Sequence, residues 1–159
     1  LWAPHRMEYL KGENRPLDQN EVECPFCRIP TLSDEEGLIV ARGEFAYVVM
    51  NLYPYNAGHL LICTFRHVAD LTDLTKGERN EISEMSGHAM ETLRKVAAPA
   101  GFNLGMNQGA ISGAGVADHI HQHVVPRWSG DANFMPIIGQ TKVMPVLLSQ
   151  TRAELAAAW

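Results

Sequence analysis

Three histidines occupy alternate positions in the run His119-Ile120-His121-Gln122-His123-Val124-Val125. On a β-strand, alternate side chains share a face, so the three imidazoles would stand in a row with neighbours about 6.6 Å apart. Ile120, Val124 and Val125 give the run the β-branched character of a strand, and Pro126, which lacks a backbone donor, is expected to end it. Two chemistries suit such a face. Neutral imidazoles ligate transition metals, and an imidazole nitrogen can also carry a phosphoryl or nucleotidyl group between two displacements. Just upstream, Gly105-Met106-Asn107-Gln108-Gly109-Ala110-Ile111-Ser112-Gly113-Ala114-Gly115 offers no carboxylate to complete a metal site. Its glycines and small residues let backbone N–H groups approach anionic oxygens, although it lacks the lysine of a P-loop. A phosphate ester therefore suits this face better than a bare cation.

The elements that must position these residues are read from periodicity. Segments 38–41 and 45–50 alternate as strands around Arg42-Gly43-Glu44, a hairpin signal, and 59–64, 102–106 and 119–125 supply further strands. Over 75–98 the period becomes helical, with Ile82, Met85, Ala89, Leu93 and Val96 on one face, and Pro99 and Gly101 closing the element. His88 falls off that stripe and is expected in solvent. A final amphipathic helix is expected over 143–158. Residues 1–23 show no period and read as an irregular arm, and 24–159 read as one α+β domain with an antiparallel sheet.

A chain of 159 residues with 46% hydrophobic content can bury one real core. A net charge of −5 argues against a broad basic surface for nucleic acid. No apolar stretch approaches the ~20 residues of a membrane span. The cysteines, Cys24, Cys27 and Cys63, lack disulfide-framework spacing, which points to a reducing, cytoplasmic setting. Cys63 reads as a small buried apolar residue. Cys24-Pro25-Phe26-Cys27 reads as half a zinc site, a redox pair or coincidence; the context is not thioredoxin-like, and zinc requires two more ligands.

The triple-histidine run, together with Val48-Val49-Met50-Asn51 before Ala57-Gly58-His59-Leu60 and with Phe65-Arg66-His67-Val68, resembles the histidine-triad (HIT) superfamily of nucleotidyl hydrolases and transferases. Gln122 replaces the apolar residue usual between the second and third histidines. Segments 32–38, 51–56 and 126–134 carry a narrower resemblance to the diadenosine tetraphosphate phosphorylases of actinobacteria. The resemblance implies a HIT-like fold, one long helix, a C-terminal helix and a homodimer. It implies catalysis by His121 as nucleophile with His123 and His59 beside it, through a covalent AMP-histidine. Phe26, Ile29 and Leu52 would form the base slot, Asn51 would meet the ribose, and Asn107, Gly113, Ala114 and Gly115 would lie along the phosphates. The implied partners are a dinucleoside polyphosphate or mononucleotide and orthophosphate. One structural zinc per chain would sit on Cys24, Cys27, His67 and His119, with no catalytic metal. Where many relatives carry Gln or Ser, four residues before the first triad histidine, this chain has Gly115, leaving its backbone N–H or the Ser112 hydroxyl for that place. Hydrolysis to AMP and ATP, a non-catalytic nucleotide-binding regulator and a tri-histidine metalloenzyme are the competing readings.

Overall fold

A computed structural model of the chain describes residues 24–131 and 146–159. The expected arm 1–23 and the beginning of the expected 143–158 helix lie outside the described residues. The sheet has five antiparallel strands in the order β1-β2-β3-β5-β4. They are β1 (Ile39–Arg42), β2 (Ala46–Met50), β3 (Leu60–Thr64), β4 (Gly101–Met106) and β5 (His121–Arg127). One helical turn, α1 (Pro25–Arg28), precedes the sheet; α2 (Lys76–Ala97) joins β3 to β4, and α3 (Leu148–Ala158) follows β5.

Every residue of β2 and β3 is buried, because both faces of the sheet are covered. On one face Val48, Met50, Leu60, Ile62 and Val124 meet Ile82, Met85, Ala89 and Leu93 of α2 and Leu155 of α3. On the other, Tyr47, Val49, Leu61 and Cys63 meet Cys24 and Phe26. These unbroken apolar strands are what two-sided burial requires. A reciprocal cap starts α2: Thr75 Oγ1 accepts the Glu78 N–H at 3.2 Å and Glu78 Oε2 accepts the Thr75 N–H at 2.7 Å. Farther along, the Glu81 carboxylate accepts the backbone N–H groups of Glu44, Phe45 and Ala46 at 2.8, 2.6 and 2.6 Å. That ties the β1–β2 hairpin to α2.

Four expectations are corrected. Pro126 does not end β5, which runs through it to Arg127. The Pro126 carbonyl accepts from Asn56 Nδ2 at 3.0 Å, beyond the start of β3, so the missing N–H also faces a place where no strand continues. His119 precedes β5 rather than belonging to it. The C-terminal helix begins at Leu148, with Val146 and Leu147 non-helical. His88 is not simply solvated, since its ring packs 4.3 Å from that of Trp159.

Candidate functional site

β5 lies between β3 and β4, and its register sets Cys63 opposite His121 and Leu61 opposite His123. His121 and His123 therefore share the face that carries Phe26. His59 reaches them from the turn before β3, which Gly58 makes at φ +72; a Cβ there would meet Leu93 Cδ2 at 3.1 Å.

Backbone partners assign the protons on these rings. The Tyr55 N–H can only donate, and it lies 2.9 Å from His59 Nδ1. The neutral His59 ring thus carries its proton on Nε2, which lies 2.9 Å from His123 Nδ1. That bond leaves the His123 proton on Nε2. For His121 the logic reverses: Nδ1 faces the His119 carbonyl, a pure acceptor, at 2.9 Å, so Nδ1 holds a proton and Nε2 of the neutral ring presents a lone pair. The two rings, one with a bare nitrogen and one with a protonated nitrogen, have centroids 5.0 Å apart. One can attack an electrophile while the other gives a proton to the leaving oxygen.

Both rings open on a cavity of about 320 Å³. Phe26, Ile29, Asn51, Leu52, Asn107, Gly113 and Gly115 line it as well, whereas Ala114 does not and is buried. Ser112 is also absent from the lining, and its hydroxyl donates to the Gly109 carbonyl at 2.7 Å. Phe26 stands with its ring centroid 4.7 Å from that of His121. Asn51 holds the turn through Oδ1, which accepts the Tyr53 N–H at 2.9 Å, and its Nδ2 lies 3.2 Å from His59 Nδ1. Sequence reasoning missed Leu32, Leu38, Tyr53 and Tyr55 as cavity residues. They fall within the 32–38 and 51–56 segments that carried the narrower resemblance, a signal that marked the segments and gave their side chains no task.

Behind Phe26, ligand atoms of Cys24, Cys27, His67 and His119 all lie within 4.8 Å of one another. His119 Nδ1 is 3.3 Å from Cys24 Sγ and 3.5 Å from Cys27 Sγ, and His67 Nδ1 is 3.3 Å from Cys27 Sγ. Around zinc, bonds of about 2.1–2.3 Å give tetrahedral edges of roughly 3.6 Å, so this spacing suits the ion. His119 Nε2 lies 2.9 Å from the Thr64 carbonyl, which puts its proton there and turns the Nδ1 lone pair toward the thiols. Burial pushes the His119 imidazole down to about 4, so the ring is neutral, the form that ligates. The cluster can hold a metal, and two thiols with two imidazoles would close a four-coordinate shell without room for a reactive water.

Among the described residues no helix is long and apolar enough to cross a membrane. The chain is 49% identical over its whole length to a Mycobacterium tuberculosis protein named AP-4-A phosphorylase, 83% of which is covered. It is 30% identical over 90 residues to an asymmetrical bis(5'-nucleosyl)-tetraphosphatase of Schizosaccharomyces pombe, covering 57% of this chain and 49% of that one. A zinc-bound histidine triad family protein from Mycobacterium smegmatis shares the fold, with a TM-score of 0.69 at 24% identity over 87% of this chain and 94% of that one. The HIT domain matches residues 34–130, and with the relative matched along the whole of this chain it shows that the chain belongs to the HIT family.

Proposed function

We propose that the chain is a nucleotidyl transferase that cleaves diadenosine tetraphosphate with orthophosphate to give ADP and ATP. The observation that carries this reading is that His121, with Nδ1 against the His119 carbonyl, and His123, with Nδ1 against His59 Nε2, line one cavity, an arrangement that leaves a bare Nε2 on the first and a protonated Nε2 on the second. The likeness to a phosphorylase along the full chain supports the choice of substrate.

One adenine enters the slot made by Phe26, Ile29 and Leu52, its ribose lies between Asn51 and Asn107, and the phosphates run along Gly113 to Gly115. His121 Nε2 attacks the phosphorus next to this nucleoside, forming a P–N bond as the bridging P–O bond breaks. His123 Nε2–H gives its proton to the departing ATP, and His59 steadies the ring behind it. Orthophosphate then attacks the same phosphorus, passing its proton to His123 Nε2 as the P–N bond breaks, and ADP leaves with both histidines restored. A charged acceptor competes with water only where donors await it. The small residues 107–115 supply backbone N–H groups, and Gly115 leaves space beside them.

Zinc fits the Cys24, Cys27, His67 and His119 cluster as a structural ion that contributes folding free energy and fixes the turn bearing Phe26. Reduced thiols at this cluster suit a cytoplasmic enzyme. The outer edge of β4, where Leu104 is 46% exposed, suits sheet-to-sheet pairing in a homodimer. Chromatography of the products made with and without orthophosphate tests the reaction. ADP and ATP in excess orthophosphate are expected; AMP and ATP at a rate indifferent to orthophosphate would replace the phosphorylase with a hydrolase.

A further inference from the structure

Ile29, Leu32, Gly37 and Leu38 form one wall of the cavity. Only a single 3-10 turn, Ile29–Thr31, gives regular structure between α1 and β1. Leu38 adopts φ +55, in the left-handed region. For a residue with a Cβ that conformation costs on the order of 1–3 kcal/mol and persists only where neighbours enforce it. Here the peptide after Leu38 is gripped at both atoms: Met50 N–H donates to the Leu38 carbonyl at 3.0 Å, and Ile39 N–H donates to the Asp34 carbonyl at 2.8 Å.

Two arginines complete the grip. Arg42 donates to the carbonyls of Pro30 at 2.9 Å and Leu32 at 3.1 Å, and pairs with Asp34 at 2.8 Å. Arg152 arrives from α3, far away in sequence. Its Nε donates to the Ile39 carbonyl at 2.6 Å, and its other nitrogens lie 3.4 Å from Glu35 and 3.9 Å from Asp34. The Arg152 side chain is only 12% exposed, so its bond to the Ile39 carbonyl is enclosed while Glu35 and Asp34 meet it from the solvent side. It does not line the cavity.

We propose that Arg152, seconded by Arg42, is a positioning residue for nucleoside binding: it holds the 32–38 wall in its strained shape, so that the base meets a preformed slot. The proposal rests on the cavity being the nucleoside site. Without the clamp, Leu38 can relax toward extended backbone, and ordering the wall is charged against each binding event. The histidines stand on other elements, so the chemical step is untouched.

The test uses the full chain loaded with zinc, with Arg152→Ala, Arg152→Lys and Asp34→Asn as variants. KM and kcat for diadenosine tetraphosphate are measured, together with calorimetric binding of AMP and of inorganic tripolyphosphate. In Arg152→Ala, the KM and the AMP Kd should each rise about tenfold, with kcat and tripolyphosphate binding unchanged. Arg152→Lys should recover part of the loss through one bond to the Ile39 carbonyl, and Asp34→Asn should shift the same quantities in the same direction by less. Unchanged KM and AMP affinity in a folded Arg152→Ala variant would overturn the proposal, as would parallel losses in kcat and tripolyphosphate binding. Should Arg152→Ala not fold, Asp34→Asn decides by the same criteria. Failure of the unsubstituted chain to bind AMP would overturn the nucleoside-site reading and this proposal together.

Discussion

Replacing Tyr47 by Phe removes a single oxygen behind the site and keeps the ring that stacks on Phe65 at 5.4 Å. Tyr47 is fully buried, and its hydroxyl donates to the Phe26 carbonyl at 2.7 Å. That carbonyl needs an outside donor. Continued helix would offer the N–H four residues on, but that residue is Pro30, and the Ile29 N–H already serves Pro25. Burial pushes the Tyr47 phenol far above its usual range, with the adjacent Cys63 adding to the effect, so it stays a donor at every working pH. Removing it strands a buried acceptor at a cost of about 1–3 kcal/mol. A central value of about 2 kcal/mol corresponds to a fall in Tm of roughly 4–8 °C for a chain of this size. Because Phe26 lies between Cys24 and Cys27, the variant should also surrender zinc to a chelator faster and bind AMP more weakly. Thermal melts with excess zinc and with chelator, alongside AMP titration, measure all three effects. A variant matching the unsubstituted chain in melting, zinc retention and AMP affinity would refute the view that this bond carries the turn.

His121→Ala should lower turnover on the order of 10⁴-fold or more while zinc content and melting stay near those of the unsubstituted chain; comparable turnover would reject His121 as nucleophile. Changing Cys24 and Cys27 together to Ser should remove one zinc per chain by elemental analysis and lower Tm, since the metal's binding free energy is part of folding. Glu78→Gln tests the tether of the His67 loop to α2, because Arg66, next to His67, reaches the Glu78 carboxylate at 2.8 Å. The Arg66 guanidinium and the Thr75 backbone N–H hold that carboxyl at about 2, below its ordinary 4.5. A depressed carboxyl stabilises the fold above about pH 4.5, and this contribution fades as pH falls toward 2. With screening at the half-exposed Arg66 discounted, it amounts to about 2 kcal/mol, so urea unfolding should find Glu78→Gln weaker by that amount at neutral pH and the gap closed near pH 2.

Much of the site was legible because its chemistry is carried by residue type and local spacing. His121 and His123 share a face by strand alternation alone, and the CxxC needs only one turn to bring its thiols together. What the sequence withheld depends on distant contacts. His119 sits two residues before His121 yet turns to Cys24 and Cys27, a placement that alternation alone cannot foretell and that the family resemblance supplied. Pro126 reads as a stop because nothing local reveals that β3 begins only opposite Val124, leaving no partner on the side its missing donor faces. The His59 tautomer hangs on a backbone N–H of Tyr55, and the Ile39 carbonyl beside the left-handed Leu38 meets an arginine from α3; neither leaves a periodic trace. Helix α2 is legible because its apolar stripe and the closing Pro99 are local signals.

In the proposed reaction His121 carries the adenylyl group between two displacements at one phosphorus. Each in-line displacement inverts that centre, so two restore its configuration. The direct measurement is the stereochemical course with diadenosine tetraphosphate bearing a phosphorothioate of known handedness at the phosphorus next to the nucleoside, in excess orthophosphate. The thio-ADP product is expected to retain the original configuration; inversion would mean that orthophosphate attacks in a single step, and the covalent role of His121 would be contradicted.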